Sequence, residues 1–416
     1  MIPGPHHHSS HRSLIDLSVS AEDSAAVDAI VVPSARRAAA LEEAGRLAAV
    51  LGCVLLVLCS KHADASKALG FLSRRPGIRA IAVDFPAEGV ERLPVLETST
   101  VLGETRLRRR TDTSAKRNLG LVLARLAGWK RVVFLDDDIR VPDAADLGHA
   151  SSLLDTHDGV GLHIDGYPDN SVVCHANREI GEEQDTFIGG GALAVPADRI
   201  DSFFPEIYNE DWFFLLGETM LRRVSQVGLA LQKPYDPFAD PDRARREEFG
   251  DVLAEGLFAL LDDGGKIDEA DRAYWRAFIA SRQGLIRRIR ARIDPSTVRN
   301  EQILQSLAAS YGRLQFIWPE TCVAYIQAWQ RDRERWRRFM SGVRPIRRRA
   351  GEREPILVAL DRLGLPAIHC GDFGVRNDDA SSATTRTSGS RMSSAAPSPA
   401  ARASQPIASG PKMLAL

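Results

Sequence analysis

Between residues 26 and 86 the sequence switches repeatedly between two apolar periods, and few folds accommodate that switch. Residues 29–32, 53–58 and 78–83 are short runs of aliphatic and β-branched side chains with almost no polar residue between them. A strand reads this way when both of its faces are covered, which is the condition of a strand inside a parallel sheet. Pro33 closes the first run, and Asp84, Phe85 and Pro86 close the third. Residues 38–51 and 65–72 carry Ala, Leu and Glu at helical spacing, so the order is strand, helix, strand, helix, strand. The same rhythm returns at residues 114–128, where Leu119, Leu121, Val122, Leu123 and Leu126 mark a helix stopped by Gly128, before a strand over 131–135. The predicted fold class is therefore α/β, with a mostly parallel sheet flanked by helices.

The chain has 416 residues, of which 44% are hydrophobic and 26% charged, enough for a large core. Its 54 basic and 55 acidic residues give a net charge of −1, so no overall field favours nucleic acid, and any anion site must be local. Five cysteines, Cys53, Cys59, Cys174, Cys322 and Cys370, never form a close C-x-x-C pair. That argues against a disulfide framework or a structural zinc and fits a reducing, cytoplasmic setting. The most apolar stretch, residues 48–59, is too short to span a membrane and contains Gly52. Residues 1–25, with His6, His7 and His8 among small polar residues, read as a disordered leader. Long helical periodicities dominate residues 246–376, an appended helical region. Residues 377–416 are almost wholly Ser, Ala, Thr, Pro and Gly, a composition that buries too little apolar surface to order, so this tail is expected to be disordered.

The chemistry concentrates where the strand over 131–135 ends in Asp136, Asp137 and Asp138. Open α/β sheets bind ligands beyond the carboxyl ends of their strands. Three adjacent carboxylates repel one another, and a hard divalent cation such as Mg²⁺ or Mn²⁺ relieves that repulsion while leaving positions for water and phosphate oxygens. The bland alternative is a helix cap, which needs only one Asp. Upstream lie Arg106, Arg108, Arg109, Arg110, Lys116 and Arg117, a cluster able to clamp a diphosphate through bidentate guanidinium contacts, or else a solvated face. Gly189, Gly190 and Gly191 lack the remainder of a phosphate loop and read either as a close backbone approach to a bound sugar or acceptor, or as a flexible turn.

Taken in order, Val31-Val32-Pro33-Ser34, the helix start Ala115-Lys116-Arg117-Asn118, the strand end Phe134-Leu135-Asp136-Asp137-Asp138 and the run Asn209-Glu210-Asp211-Trp212 resemble the family-2-like glycosyltransferases with the GT-A fold. The resemblance covers about residues 28–225 and implies a GT-A nucleotide-sugar and acceptor-binding domain over residues 26–245. It implies a metal-dependent enzyme that moves a sugar from a nucleoside diphosphate sugar to an acceptor hydroxyl, with inversion. Asp136 and Asp138 would bind Mn²⁺ or Mg²⁺. Pro33, Ser34, Arg36, Lys116, Arg117, Asn118 and Asp137 would hold the nucleotide sugar, and Asp211, or Glu210 beside it, would be the base. The family's Asp-Asp-Gly-Ser after the second strand is replaced by Cys59-Ser60-Lys61-His62-Ala63-Asp64, so its base-contacting carboxylate is missing. Asp84 is the substitute candidate, with a turn-forming role as the alternative.

Some GT-A enzymes add a histidine to the metal, which makes His163, His175 and His369 candidates, although a lone histidine is more often structural. The basic stretches at 287–292 and 331–338 are either docking faces for a membrane surface or an acidic acceptor, or ion-paired solvated faces. Two other function classes stay open. Haloacid dehalogenase-like phosphatases also place D-x-D after an apolar strand, but they normally carry Thr or Val where this chain has Arg140, and they begin with that strand. A nucleotide-sugar-binding protein without catalysis would not need the Glu210-Asp211 pair.

Overall fold

In the computed structural model the described residues are 5, 7–18, 23–103, 105–108, 111–168, 170–349 and 351–373. The strands are β1 Ala29–Ser34, β2 Val54–Cys59, β3 Arg79–Asp84, β4 Arg131–Leu135, β5 Ile139–Arg140, β6 Gly159–Asp165, β7 Ala192–Pro196, β8 Val224–Gln232 and β9 Ala367–Cys370. They form one sheet in the order β5-β8-β6-β7-β4-β1-β2-β3-β9. β1, β2, β3, β4, β6 and β8 point one way, while β5, β7 and β9 run against their neighbours. The α/β class with a mostly parallel sheet flanked by helices is what the apolar periods predict.

The pleat sends alternate residues to opposite faces, and both faces are dry. Val31, Leu56, Ile81 and Phe134 enter one core, while Ile30, Leu55, Ala80 and Val133 enter the other. The second core is closed by α1 Glu42–Leu51, α2 Ala65–Leu72 and, after the short α3 Glu97–Val101 and α4 Thr113–Ala127 on the other face, by α5 Ala145–Leu153. The first core takes α4, α6 Val172–Glu179, α7 Glu210–Leu215, α8 Pro241–Asp262, α9 Arg272–Arg292, α10 Val298–Leu314, α11 Pro319–Gly342 and α12 Pro355–Arg362. Gly128 ends α4 in the left-handed region at φ 76°, as a helix stop requires. No helix among the described residues is long and apolar enough to cross a membrane.

Two segments depart from the expected organisation. The helical region is not merely appended, since Trp275, Trp329 and Trp336 share the core of β1 and β4, and the chain then returns to add β9 antiparallel to β3. The disordered leader expected over residues 1–25 is corrected for residues 7–18, which are packed; residues 1–4, 6 and 19–22 lie outside the described residues. His11 is 3% exposed and wedged against the rings of Phe187, Trp212 and Phe258. Burial alone would lower its pKa, but hydrogen bonds and charge from Asp262 and Glu255 raise it to about 9. The Asp16 amide donates to the Val224 carbonyl at 2.9 Å, so the segment also meets the sheet. A polar stretch orders here because α8 supplies buried carboxylates to its histidines, and composition carries no trace of that. The tail expected to be disordered over 377–416 lies outside the described residues.

Candidate functional site

Helix α4 begins with three polar side chains in succession, Lys116, Arg117 and Asn118, and all three are buried. Successive helical positions diverge by about 100°, so each serves a different neighbour. Lys116 Nζ donates to the Ser34 carbonyl at 2.8 Å and to Ser60 Oγ at 2.6 Å, tying the ends of β1 and β2 together. Asn118 exchanges two hydrogen bonds, each 2.8 Å, with the backbone of Phe204. Arg117 points between them. Its guanidinium donates to Asp136 Oδ1 at 2.9 Å and to Glu210 Oε1 at 3.0 Å, bridging the end of β4 and the start of α7. The phosphate role expected of Lys116 and the nucleotide-sugar contact expected of Asn118 therefore meet side chains already engaged within the protein. Of the three, only Arg117 faces the site.

The end of β4 lies beside the end of β1, where the chain order leaves β1 in both directions; such a switch point opens a ligand crevice. Asp137 turns into that crevice, where Ser34 Oγ donates to it at 2.8 Å and Arg36 pairs with it. Arg36 also donates to Asp138 Oδ2 at 2.8 Å with its own side chain about half exposed. Asp136 turns the other way, toward Arg117. Confinement of its carboxylate raises the pKa to about 6, helped by Asp138 and Glu210 and opposed by Arg117. Pro33 lies within β1. Asp84, at the end of β3, accepts the Ala65 amide at 2.8 Å and so fastens the start of α2, a contact that is neither the base contact nor the turn role expected of it.

The opposite wall starts at Asn209, in the left-handed region at φ 61°, which Asn tolerates better than most residues. From there α7 presents Glu210 inward to Arg117 and Asp211 toward Gly190, whose amide donates to Asp211 Oδ2. A side chain at Gly190 is excluded, because its Cβ would lie 2.4 Å from an Arg117 nitrogen. The close approach anticipated for the glycine run is thus made to the protein's own guanidinium. Trp212 packs edge-on against Phe187 and at a tilt against Phe258, with ring centres 5.1 and 4.6 Å apart.

Between the two walls is a cavity of about 380 Å³. Its lining includes Asp136, Asp138, Arg117, Glu210 and Asp211, but not Pro33, Ser34, Arg36, Asp84, Lys116, Asn118 or Asp137. The D-x-D pair and the Glu-Asp pair are therefore brought to one space, while the first-strand loop sits beside it at the crevice. Sequence reasoning missed Asn170, Cys174, Tyr208, Arg243, Arg246 and Glu255 in the lining. Asp240 and Pro241 mark a helix start in the sequence, but which face of α8 meets the cavity depends on packing.

None of the three candidate histidines lines the cavity. His175 donates to or accepts from the Tyr235 hydroxyl at 3.0 Å and stacks on Tyr167, and burial lowers its pKa to about 3, with Arg178 and Arg243 adding to the effect. His369 lies on β9 at the far edge and His163 on β6. Arg106 covers the Phe316 ring, and Arg109 and Arg110 lie outside the described residues. The basic stretches carry ion pairs, Arg292 with Glu182 and Arg331 with Glu97 among them. All five cysteines are free thiols.

No family model matches the chain, and no curated protein matches it in sequence. Among solved structures it is similar to the mannosyltransferase PcManGT from Pyrobaculum calidifontis, whose structure is a complex with GDP-Man and Mn²⁺. The identity is 15%, the match covers 77% of this chain and 90% of that one, and the TM-score is 0.39.

Proposed function

We propose that the chain is a GT-A glycosyltransferase that moves a sugar from a nucleoside diphosphate sugar to an acceptor hydroxyl with inversion, using Mn²⁺ or Mg²⁺. The observation that carries this reading is the cavity itself, with Asp136 and Asp138 on one wall and Asp211 on the other, joined through Arg117. The donor set suits a hard cation. Asp136 and Asp138 offer only carboxylate oxygens, the donors that Mn²⁺ and Mg²⁺ take. A divalent ion held there would neutralise charge developing on the departing diphosphate.

The chain's own residues supply the rest. Arg117, fixed by two carboxylates, holds Asp136 in place and keeps the two walls in register. In this reading Arg36, about half exposed at the crevice, would meet the nucleotide half of the donor, with Ser34 holding Asp137 beside it. On the same reading Asp211 is the base for the acceptor hydroxyl, because both acids line the cavity but Glu210 is ion-paired with Arg117, whereas Asp211 accepts from the Gly190 and Trp212 amides. A phosphatase reading would make Asp136 a nucleophile, and its engagement by Arg117 is unfavourable to attack.

Titration calorimetry with nucleoside diphosphates tests the metal assignment. Binding should require Mn²⁺ or Mg²⁺, and Asp138→Ala should lose the metal-dependent part. Equal affinity in EDTA and in Mn²⁺ would defeat the assignment.

A further inference from the structure

A second cluster lies deeper along the same cavity and serves none of the steps above. His7 from the N-terminal segment, Cys174 from α6 and Glu255 from α8 each offer one donor atom, and these atoms all lie within 4.8 Å of one another. His7 Nδ1 is 3.6 Å from Glu255 Oε2, and Cys174 Sγ is 3.7 Å from Glu255 Oε1. A tetrahedral ion with the usual zinc bond lengths of about 2.0–2.3 Å separates its ligand atoms by about 3.3–3.8 Å. Both separations from the Glu255 carboxylate fall in that range.

The surroundings of His7 point the same way. Its side chain is 9% exposed, and its Nε2 meets Gln184 Oε1 at 2.6 Å, which orients the ring. Its Nδ1 is buried with no hydrogen-bond partner and faces the Glu255 carboxylate across 3.6 Å, a gap that suits a cation. A thiol at the third corner selects the kind of cation: sulfur, imidazole nitrogen and one carboxylate form a borderline-soft donor set, unlike the all-oxygen set at the end of β4. Around the cluster, Gln184 orients His7 and His11 Nε2 holds Glu255 at 3.2 Å, the outer partners that metal ligands need.

We infer that His7 Nδ1, Cys174 Sγ and the Glu255 carboxylate form a zinc-class metal site that pins the N-terminal segment to α6 and α8. Cys174 and Glu255 also line the 380 Å³ cavity, so the fourth position opens toward it and is left for water. On binding, the Cys174 thiol releases its proton to solvent and the thiolate takes a place on the ion. The site is independent of the transferase reading, since its ligands are not the D-x-D carboxylates.

The test uses the full chain, stripped of metal and titrated with Zn²⁺ or Co²⁺ alone. One equivalent should bind, and Co²⁺ should give a thiolate-to-metal charge-transfer band. His7→Gln and Cys174→Ala should each weaken Zn²⁺ binding by more than the ~10–100-fold that loss of an outer partner costs, and Cys174→Ala should abolish the band. His8→Ala should retain both, which separates the site from capture by the histidine run. His7→Gln lies in the N-terminal segment outside the sheet core, so it reads the site even if Cys174→Ala misfolds, and circular dichroism checks both. Wild type without the charge-transfer band, or with Zn²⁺ affinity equal to that of Cys174→Ala, overturns the proposal. Such a result would leave a proton as the cation between His7 and Glu255.

Discussion

Arg117 shows how one side chain sets the chemistry of its neighbours. A guanidinium 3% exposed has lost its water, and it stays charged because Asp136 and Glu210 surround it. That commitment separates the two acidic residues of α7. Glu210 is spent on the bridge, whereas Asp211 keeps its place on the cavity wall. General-base catalysis is worth ~10²–10⁴-fold, so Asp211→Asn should lower turnover by about that factor while donor affinity stays near wild type. Glu210→Gln should harm donor binding and turnover together, because Arg117 loses a partner and Asp136 loses its fixed orientation. Parallel measurement of turnover and donor affinity in the two variants decides between them. If only Glu210→Gln loses turnover with donor affinity intact, the base is Glu210.

At the scale of elements, the site depends on helices that carry no reacting group. Glu43 and Arg46 of α1 grip Val141 just after the acidic turn, Glu43 accepting the Val141 amide at 2.9 Å. Burial would raise the Glu43 pKa, but bonds from Arg46 and the Val141 amide outweigh it and hold the group below its ordinary value. A depressed carboxylate contributes stability above its unfolded pKa and loses it as pH falls through the folded one. Glu43→Gln should therefore be less stable than wild type near neutrality, by about 1 kcal/mol for a partly solvated charged bond. The difference should vanish at acid pH in paired melting curves. Deeper in, Arg282 of α9 is 1% exposed and donates to Glu248 at 3.1 Å and to Asp251 on α8. Asp251 in turn accepts from Asn209, the residue that starts α7. Removing the arginine strands two buried carboxylates, and Arg282→Ala should cost about 3–5 kcal/mol in urea unfolding.

At the scale of the molecule, two segments far apart in sequence close the structure. Residues 7–18 pack onto α8 through His11, and β9 covers the free edge of β3 through four residue pairs from Ala80 with Cys370 to Val83 with Ala367. An uncovered strand edge is a template for pairing with another chain. Truncation after Gly364 should lower Tm and should promote self-association. Melting and size-exclusion measurements on the truncated and full chains check both, and an unchanged elution volume with unchanged Tm would show that β9 is dispensable.

Much of this architecture is local in origin and so can be read without coordinates. Residues 29–32, 53–58 and 78–83 are apolar on both faces because the parallel strands they form are covered on both sides, and Gly128 stops α4 because only a residue free to take positive φ ends a helix that way. Asp136 and Asp138 fall at a strand's carboxyl end by chain position alone. The partners of those residues are a different matter. Nothing near Lys116 or Asn118 shows that they bond to the Ser34 and Phe204 backbone, and nothing near Gly190 shows that an arginine fills the space above it. The polarity of residues 7–18 says leader until the carboxylates of α8 are set against their histidines. His7, Cys174 and Glu255 come from three separate segments with no shared spacing. Periodicity and turn chemistry act within a few residues, whereas burial of charge is decided by whichever distant segment supplies the opposite charge, and only packing brings that segment into contact.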